Sequence, residues 1–191
     1  MSEVEKLRLF VAVSVPDEVR DRIDEEVAPL KSKWSKARWI ALENQHVTLK
    51  FLGWTPSDRL EVVTQAIGMV ARGHGPSEVS ITGLGAFPSE RRMRVLWVGL
   101  DDPGSLLTRV EADLERAFEP LGYPTEERPF TPHLTLARFK IPERPKDPLP
   151  ELSGSFAPFV VDRLELFRSR LHPKGASYEM MESFDLTGQD G

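Results

Sequence analysis

The sequence predicts an α+β fold of two pseudo-symmetric lobes, each a sheet covered by helices, with a cleft between them. Three observations lead to this prediction. Strand-like and helix-like segments alternate along the 191 residues. The tetrad HVTL that begins at His46 returns as HLTL at His133. A strand-like segment precedes each tetrad at nearly the same offset, because Arg8 lies 38 residues before His46 and Arg94 lies 39 residues before His133.

The individual elements follow from hydrophobic periodicity and from the residues that interrupt it. Alternating or β-branched segments predict strands, and they cover residues 7–15, 38–40, 46–52, 79–87, 94–100 and 133–139, a long stretch within 156–170, and 178–186. Apolar residues at helical spacing predict helices over residues 17–33, 57–72 and 101–121. Four prolines predict a loop over residues 142–150, and residues 188–191 are expected to form a frayed tail.

Length and composition fit one domain, residues 1–191, whose two lobes share a core. Hydrophobic residues make up 40% of the chain, and the net charge is −5. That charge argues against a general nucleic-acid coat protein, although binding of one nucleic-acid end needs only a local positive site. The absence of cysteine excludes disulfides and thiolate nucleophiles. No signal-peptide pattern or membrane-length apolar segment occurs, so we expect a cytoplasmic protein.

The two tetrads carry groups suited to acid–base chemistry on a phosphate. Alternate side chains of a strand share a face. The polar faces are therefore expected to carry His46, Thr48 and Lys50 in one strand, and His133, Thr135 and Ala137 in the other. If the faces meet, one histidine can take a proton from water while the other gives a proton to a leaving oxygen. A bell-shaped pH profile would follow.

Other interpretations of the histidines stay open at this point. Each could be a buried strand residue whose nitrogens are satisfied by neighbours. A catalytic zinc site normally takes three protein ligands, so two histidines are too few. His74 and His172 could in principle join them, but each lies beside glycine or proline in a predicted surface loop. We therefore expect no metal and no cofactor.

The paired motifs resemble those of the 2H phosphoesterase superfamily, which is named for two HxT motifs. RWIALENQHVTLKFLG and FTPHLTLAR are similar to its two motif blocks, and LRLFVAV, RVLWVGL and LFRSRLHPKGASYE to its flanking segments. The likeness covers almost the whole chain. Its closer match is the bacterial and archaeal RNA 2′,3′-cyclic phosphodiesterase branch, also called 2′-5′ RNA ligase. The resemblance implies a bilobal α+β fold with two mainly antiparallel sheets, outer helices and the histidines in a central cleft.

The resemblance also implies an activity. Members of this branch hydrolyse a terminal RNA 2′,3′-cyclic phosphate to a 2′-phosphate without a metal, and some also join RNA halves reversibly by a 2′-5′ bond. By this resemblance, His46 is the proton donor to the 3′-oxygen and His133 is the base that activates water. Thr48 and Thr135 carry over as phosphate-binding residues.

Arg138 matches the arginine that closes the family's second motif block. Strict alternation would place it on the face of Leu134, away from His133. A bulge or the end of the strand near Ala137 would have to turn it toward the cleft. The alternative is an exposed arginine in an ordinary ion pair.

The expected partner is an RNA end that carries a 2′,3′-cyclic phosphate, tRNA fragments among them. We expect no membrane contact and no obligate protein partner, and hence a monomer. One alternative is a non-catalytic module that binds an RNA end or nucleotide; another is hydrolysis of a small cyclic nucleotide. Several side chains could contact the RNA: Phe10, Trp39 and Trp54 by stacking, Trp97 if it is not in the core, and the loop at Lys174 and Gly175.

Overall fold

The computed structural model describes residues 4–154, 156–173 and 175–188. In this part of the chain, nine strands form two sheets and three α-helices pack around them. The strands are β1 (Lys6–Ser14), β2 (Arg38–Trp39), β3 (His46–Pro56), β4 (Ser77–Phe87), β5 (Met93–Asp101), β6 (His133–Glu143), β7 (Phe159–Val161), β8 (Arg163–His172) and β9 (Gly175–Asp185). The helices are α1 (Asp17–Lys33), α2 (Leu60–Arg72) and α3 (Leu106–Phe118).

The two sheets each contain one of the motif strands. The first sheet has the order β3-β1-β8-β9 and the second the order β2-β6-β5-β4-β7. All strand pairs are antiparallel. Strands β3 and β6 approach each other with Cα atoms within 8 Å, although they belong to different sheets. The predicted two-lobed α+β fold with antiparallel sheets is confirmed.

The helices bury one face of each sheet. Helices α2 and α3 contact each other, α3 contacts β3, and α2 contacts β8 and β9. Val63 and Ile67 of α2 are fully buried, and burying such a side chain stabilises the fold by about 1.5–3 kcal/mol. On the second sheet, Trp34 at the end of α1 packs edge-on against Phe139 of β6. The helix-free faces are left to carry the polar residues of the motifs.

Several element boundaries differ from the predictions for local reasons. The third helix begins at Leu106, five residues later than expected, because the Asp102 carboxylate accepts hydrogen bonds from the backbone N–H groups of Leu106 (2.9 Å) and Leu107 (2.7 Å). This caps the helix start. The expected strand within 156–170 is divided at Asp162, between β7 and β8. Strand β6 runs into the predicted proline loop as far as Glu143, and the expected tail falls mostly outside the described residues.

The histidine expected in a surface loop at position 74 is instead buried. The His74 Nε2 atom lies 2.8 Å from an Asp113 carboxylate oxygen of α3, and its carbonyl accepts a hydrogen bond from the N–H of Gly188. The contact ties the end of α2 to α3 and to the last described residues. His172 is exposed at the end of β8, as predicted. No helix in the described part of the chain is long and apolar enough to cross a membrane.

Candidate active site

His46 is the first residue of β3 and lies in an aromatic environment. Its ring stacks on Phe10, with 4.7 Å between centroids, and on Phe167 at 5.4 Å. Tyr178 meets it edge-on at 5.0 Å. Neither imidazole nitrogen has a hydrogen-bond partner within residues 4–154, 156–173 and 175–188. Ring packing therefore fixes the imidazole and leaves its nitrogens available to a ligand.

This environment holds His46 in its neutral form. Burial and, to a smaller extent, the charge of the nearby Arg20 guanidinium together lower the pKa of His46 to about 4. Arg20 also donates hydrogen bonds to the carbonyl of Leu42 and to the Asp17 carboxylate. It thereby ties α1 to the 3₁₀ turn Leu42–Asn44 that precedes β3. The sequence alone does not indicate that Arg20 lies near His46, because Arg20 is one of many charged residues on an amphipathic helix.

His133 is the first residue of β6, and its proton position is set by the backbone. Its Nδ1 lies 2.7 Å from the carbonyl oxygen of Thr131, so Nδ1–H donates to that carbonyl and the neutral ring keeps its lone pair on Nε2. Phe87 meets the ring edge-on at 5.0 Å, and Trp97 lies at 6.0 Å. Burial lowers the pKa of His133, the Thr131 bond acts in the opposite direction, and the charge of Arg138 lowers it again.

A bulge in the first motif corrects the prediction for Lys50. Opposite β1, Thr48 pairs with Ala12 and Lys50 pairs with Val11, so Leu49 is an extra residue in β3. Strict alternation ends there, and Lys50 turns to the helix-covered face. Lys50 is 3% exposed, and its Nζ lies 2.6 Å from both a Glu115 carboxylate oxygen and the carbonyl of Pro124. Lys50 is thus a buried structural residue.

A bulge at the same place in the second motif decides the position of Arg138. Opposite β5, Thr135 pairs with Trp97 and Ala137 pairs with Leu96, so Leu136 is the extra residue. Ala137 is fully buried, against the prediction that it shares the face of His133. Arg138 is turned to that face and exposed, and it forms no ion pair within the part of the chain that the structure describes.

The two motif threonines lie on the open faces. Thr48 and Thr135 are half-buried, and their hydroxyls have no hydrogen-bond partner among the described residues. Each follows its histidine by two positions, roughly 6–7 Å along the strand. Apart from Lys50, the polar groups predicted for the site thus lie on the helix-free face of β3 or β6, while the catalytic and binding roles remain predictions.

The aromatic residues expected to stack a base have different positions. Trp54 exposes 61% of its surface. Phe10 is 1% exposed because it lies beneath His46, so the expectation that it stacks a base is wrong. Trp97, expected in the core, lies instead against His133 on the open face. Lys174 lies outside the described residues.

Within those same residues, no group of three or more histidine or carboxylate side chains is arranged to hold a metal ion. The expectation that the protein needs no metal or cofactor stays a prediction that a chelator experiment can test.

A family model described as the 2′-5′ RNA ligase superfamily matches residues 15–173, a range that contains both tetrads. The chain belongs to the 2′-5′ RNA ligase superfamily. Its resemblance to this family, inferred from the paired motifs, is thereby confirmed.

Two curated relatives and two solved structures illustrate the range of this superfamily. The chain is 35% identical over 186 residues to an RNA 2′,3′-cyclic phosphodiesterase of Methanothermobacter thermautotrophicus, covering 95% of this chain and all of the relative. It is also 35% identical over 192 residues to the Thermus thermophilus enzyme of that name, covering 97% and 93% of the two chains. The crystal structure of TT0787 of T. thermophilus matches with a TM-score of 0.77 and 31% identity, over 96% of this chain and 100% of that one. That of E. coli LigT with NADP⁺ matches with a TM-score of 0.77 and 25% identity, over 96% and 99%.

Proposed function

We propose that the protein hydrolyses the 2′,3′-cyclic phosphate at an RNA end to a 2′-phosphomonoester, by acid–base catalysis with two histidines and without a metal. One observation carries the proposal: two His–Thr pairs begin two neighbouring strands and lie on their helix-free faces. The names of the curated relatives support the substrate class. Water attacks phosphorus, the bond to the 3′-oxygen breaks, and the 3′-hydroxyl is released.

His133 has the features of the general base. Its Nε2 lone pair is free because Nδ1–H is held by the carbonyl of Thr131. Its lowered pKa keeps the ring neutral in the ligand-free protein, as a base must be. When Nε2 takes the proton of the attacking water, the Thr131 carbonyl stabilises the imidazolium through the charge-assisted bond to Nδ1.

His46 acts as the general acid, which requires a proton that the ligand-free protein does not hold at neutral pH. With the pKa of His46 at about 4, about one molecule in a thousand would carry that proton at pH 7. A bound phosphate anion stabilises the charged imidazolium form of His46. A unit charge about 4 Å from the imidazolium contributes about 4 kcal/mol at an effective dielectric constant of about 20, which corresponds to a pKa rise of about 3 units. Substrate binding therefore charges the acid.

The remaining polar groups of the open faces hold the phosphate. The hydroxyls of Thr48 and Thr135 donate to non-bridging oxygens, and the Arg138 guanidinium neutralises charge beside His133. The E. coli LigT structure with NADP⁺ supports the ligand class, because NADP⁺ carries a ribose 2′-phosphate, the group that the proposed product would carry.

The test is incubation with an oligoribonucleotide that ends in a 2′,3′-cyclic phosphate, in excess chelator. We expect a 2′-phosphate product, and His46→Ala and His133→Ala should each lower kcat by about 10²–10⁴-fold. His172→Ala is the matched control, because that imidazole is exposed and, among the described residues, its hydrogen-bond partner is the Ser177 hydroxyl. Turnover that the chelator abolishes, or full activity in either alanine variant, would refute the mechanism.

The same groups also serve 2′-5′ joining when the 5′-hydroxyl of a second RNA takes the place of water. The non-catalytic alternative predicts a different result: tight binding of the RNA end with no product in the wild-type protein.

The expectations of a single domain, a monomer and a cytoplasmic location are retained as part of this proposal.

A further inference from the structure

A second irregularity in β3 brings Trp54 to the face that carries His46. Opposite β1, Phe51 pairs with Phe10 and Gly53 pairs with Leu9, so Leu52 is an extra residue in β3. Gly53 has a φ of +68°, a left-handed conformation that glycine adopts without strain. After this bulge Trp54 stands opposite Arg8. Without it, the indole would point into the helix-covered core.

Trp54 and Arg8 together offer two kinds of contact. Trp54 leaves 61% of its surface exposed. The Arg8 guanidinium, its cross-strand neighbour, donates to the Ser169 hydroxyl at 3.0 Å and forms no ion pair among the described residues. A single exposed apolar side chain needs no explanation. An indole beside a cation that no carboxylate neutralises is the combination that binds single-stranded nucleic acid, where bases stack on rings and phosphates meet cations.

The position of this pair sets it apart from the terminal phosphate. Thr48 pairs with Ala12 and Trp54 pairs with Arg8, four residues apart along β1, so the two positions are roughly 13 Å apart along the sheet. Phe10 and Phe51 lie in between, since Phe10 contacts both the His46 and the Phe51 rings. The pair is therefore continuous with the proposed active site along one open face, but belongs to a more distant part of a bound strand.

We propose that Trp54 and Arg8 form a subsite for an unpaired nucleotide upstream of the RNA end, with the base stacked on Trp54 and a phosphate held by Arg8. The inference rests on the proposed function, because it takes the RNA end to be the ligand at His46. It adds that the enzyme distinguishes oligonucleotides from mononucleotides.

The experiment compares kcat/KM for a mononucleoside 2′,3′-cyclic phosphate with that for oligoribonucleotides of increasing length that carry the same end. Trp54→Ala should lower kcat/KM by about 5- to 150-fold for the oligonucleotides and leave the mononucleoside unchanged. Trp54→Phe should retain most of the increase in kcat/KM with oligonucleotide length. Arg8→Gln should reduce the salt slope of oligonucleotide binding by about 0.7. Met69→Ala is the matched control, because Met69 is also 61% exposed but lies on α2.

If Trp54→Ala loses kcat/KM equally on the mononucleoside and the oligonucleotides, or loses none on either, the subsite is overturned. An equal loss of kcat/KM in Met69→Ala overturns it as well. Failure of the proposed function is seen separately, as wild-type protein that hydrolyses neither substrate. In that event the anisotropy of a labelled oligonucleotide ending in a 2′-phosphate still decides the subsite. Binding that grows with length and weakens in Trp54→Ala supports it, whereas binding independent of length or of Trp54 refutes it.

Discussion

Binding of an anion should convert His46 from an imidazole with an acidic pKa into a proton donor that is charged near neutral pH. In the ligand-free protein, burial against Phe10 and Phe167 lowers the pKa of His46 to about 4, with Arg20 adding to the effect. An attraction of about 4 kcal/mol from a contacting phosphate corresponds to a rise of about 3 units. We therefore expect a pKa of about 7 in the complex.

The direction of proton exchange on binding follows from proton linkage. The complex binds a proton that the free protein lacks between pH 4 and pH 7, so formation of the complex should take up a proton in that range. Nuclear magnetic resonance measures the effect directly, because the chain has only four histidines. The His46 signals, assigned by their loss in His46→Asn, are followed against pH with and without adenosine 2′-monophosphate. His172, which is exposed, provides the internal reference.

Two results would refute this reasoning. A midpoint near 6.5 in the free protein would show that the aromatic packing does not exclude the charged form. A midpoint that stays near 4 in the saturated complex would show that His46 cannot supply the proton to the leaving oxygen. Arg20→Gln separates the two causes of the low pKa, since it should raise the free-protein midpoint only partway, burial being the larger cause.

Three further predictions concern the threonines, the arginine and the buried lysine. Valine in place of Thr48 or Thr135 should raise KM or lower kcat by about 10- to 150-fold, the worth of a hydrogen bond to a charged group; an unchanged kcat/KM in steady-state assays would remove the threonines from the site. Arg138→Lys should lose activity and Arg138→Gln more, because lysine keeps a charge without the bidentate fork; equal rates in all three proteins would mean that the guanidinium does not meet the phosphate. Glu115→Leu should destabilise the fold by about 3–5 kcal/mol, because it leaves the buried Lys50 charge without its carboxylate partner; denaturant unfolding measures this, and a loss below 1 kcal/mol would contradict it.

Much of the fold was accessible from periodicity, because the sequence states which residues are apolar and at what spacing. The first helix was predicted over residues 17–33 and is observed at Asp17–Lys33. The motif strands begin at the histidines, as alternation indicated. Helix α3 was predicted five residues too early, because the sequence pattern does not show that Asp102 caps the chain at Leu106.

The site was accessible only in part, and the missing part depends on tertiary contacts. The two histidines and two threonines stand out as a repeated pattern. The carbonyl of Thr131, which fixes the tautomer of His133, is a backbone group that no side-chain pattern reveals. Arg20 lies in α1, far from His46 in sequence, and only the folded chain brings its charge beside the imidazole.

The bulges explain why Lys50 and Ala137 were predicted on the wrong face. They also explain how the same backbone irregularity gives two different motif strands. In both motifs the extra residue is the leucine that ends the tetrad. The next side chain is thereby turned into the core, and the one after it emerges on the open face. In the first motif that emerging residue is Phe51, which contacts Phe10; in the second it is Arg138, whose charge acts on His133.

The two histidines therefore differ although their tetrads match. The carbonyl of Thr131 fixes the tautomer of His133 before any ligand arrives, while burial and the charge of Arg138 lower its pKa and so favour the neutral ring. His46 is also neutral, but no hydrogen bond within the described chain stabilises its charged form. In the proposed mechanism, the base is ready in the free protein, whereas the acid becomes competent only when an anion is bound. Proton transfer to the leaving oxygen is then tied to occupancy of the cleft.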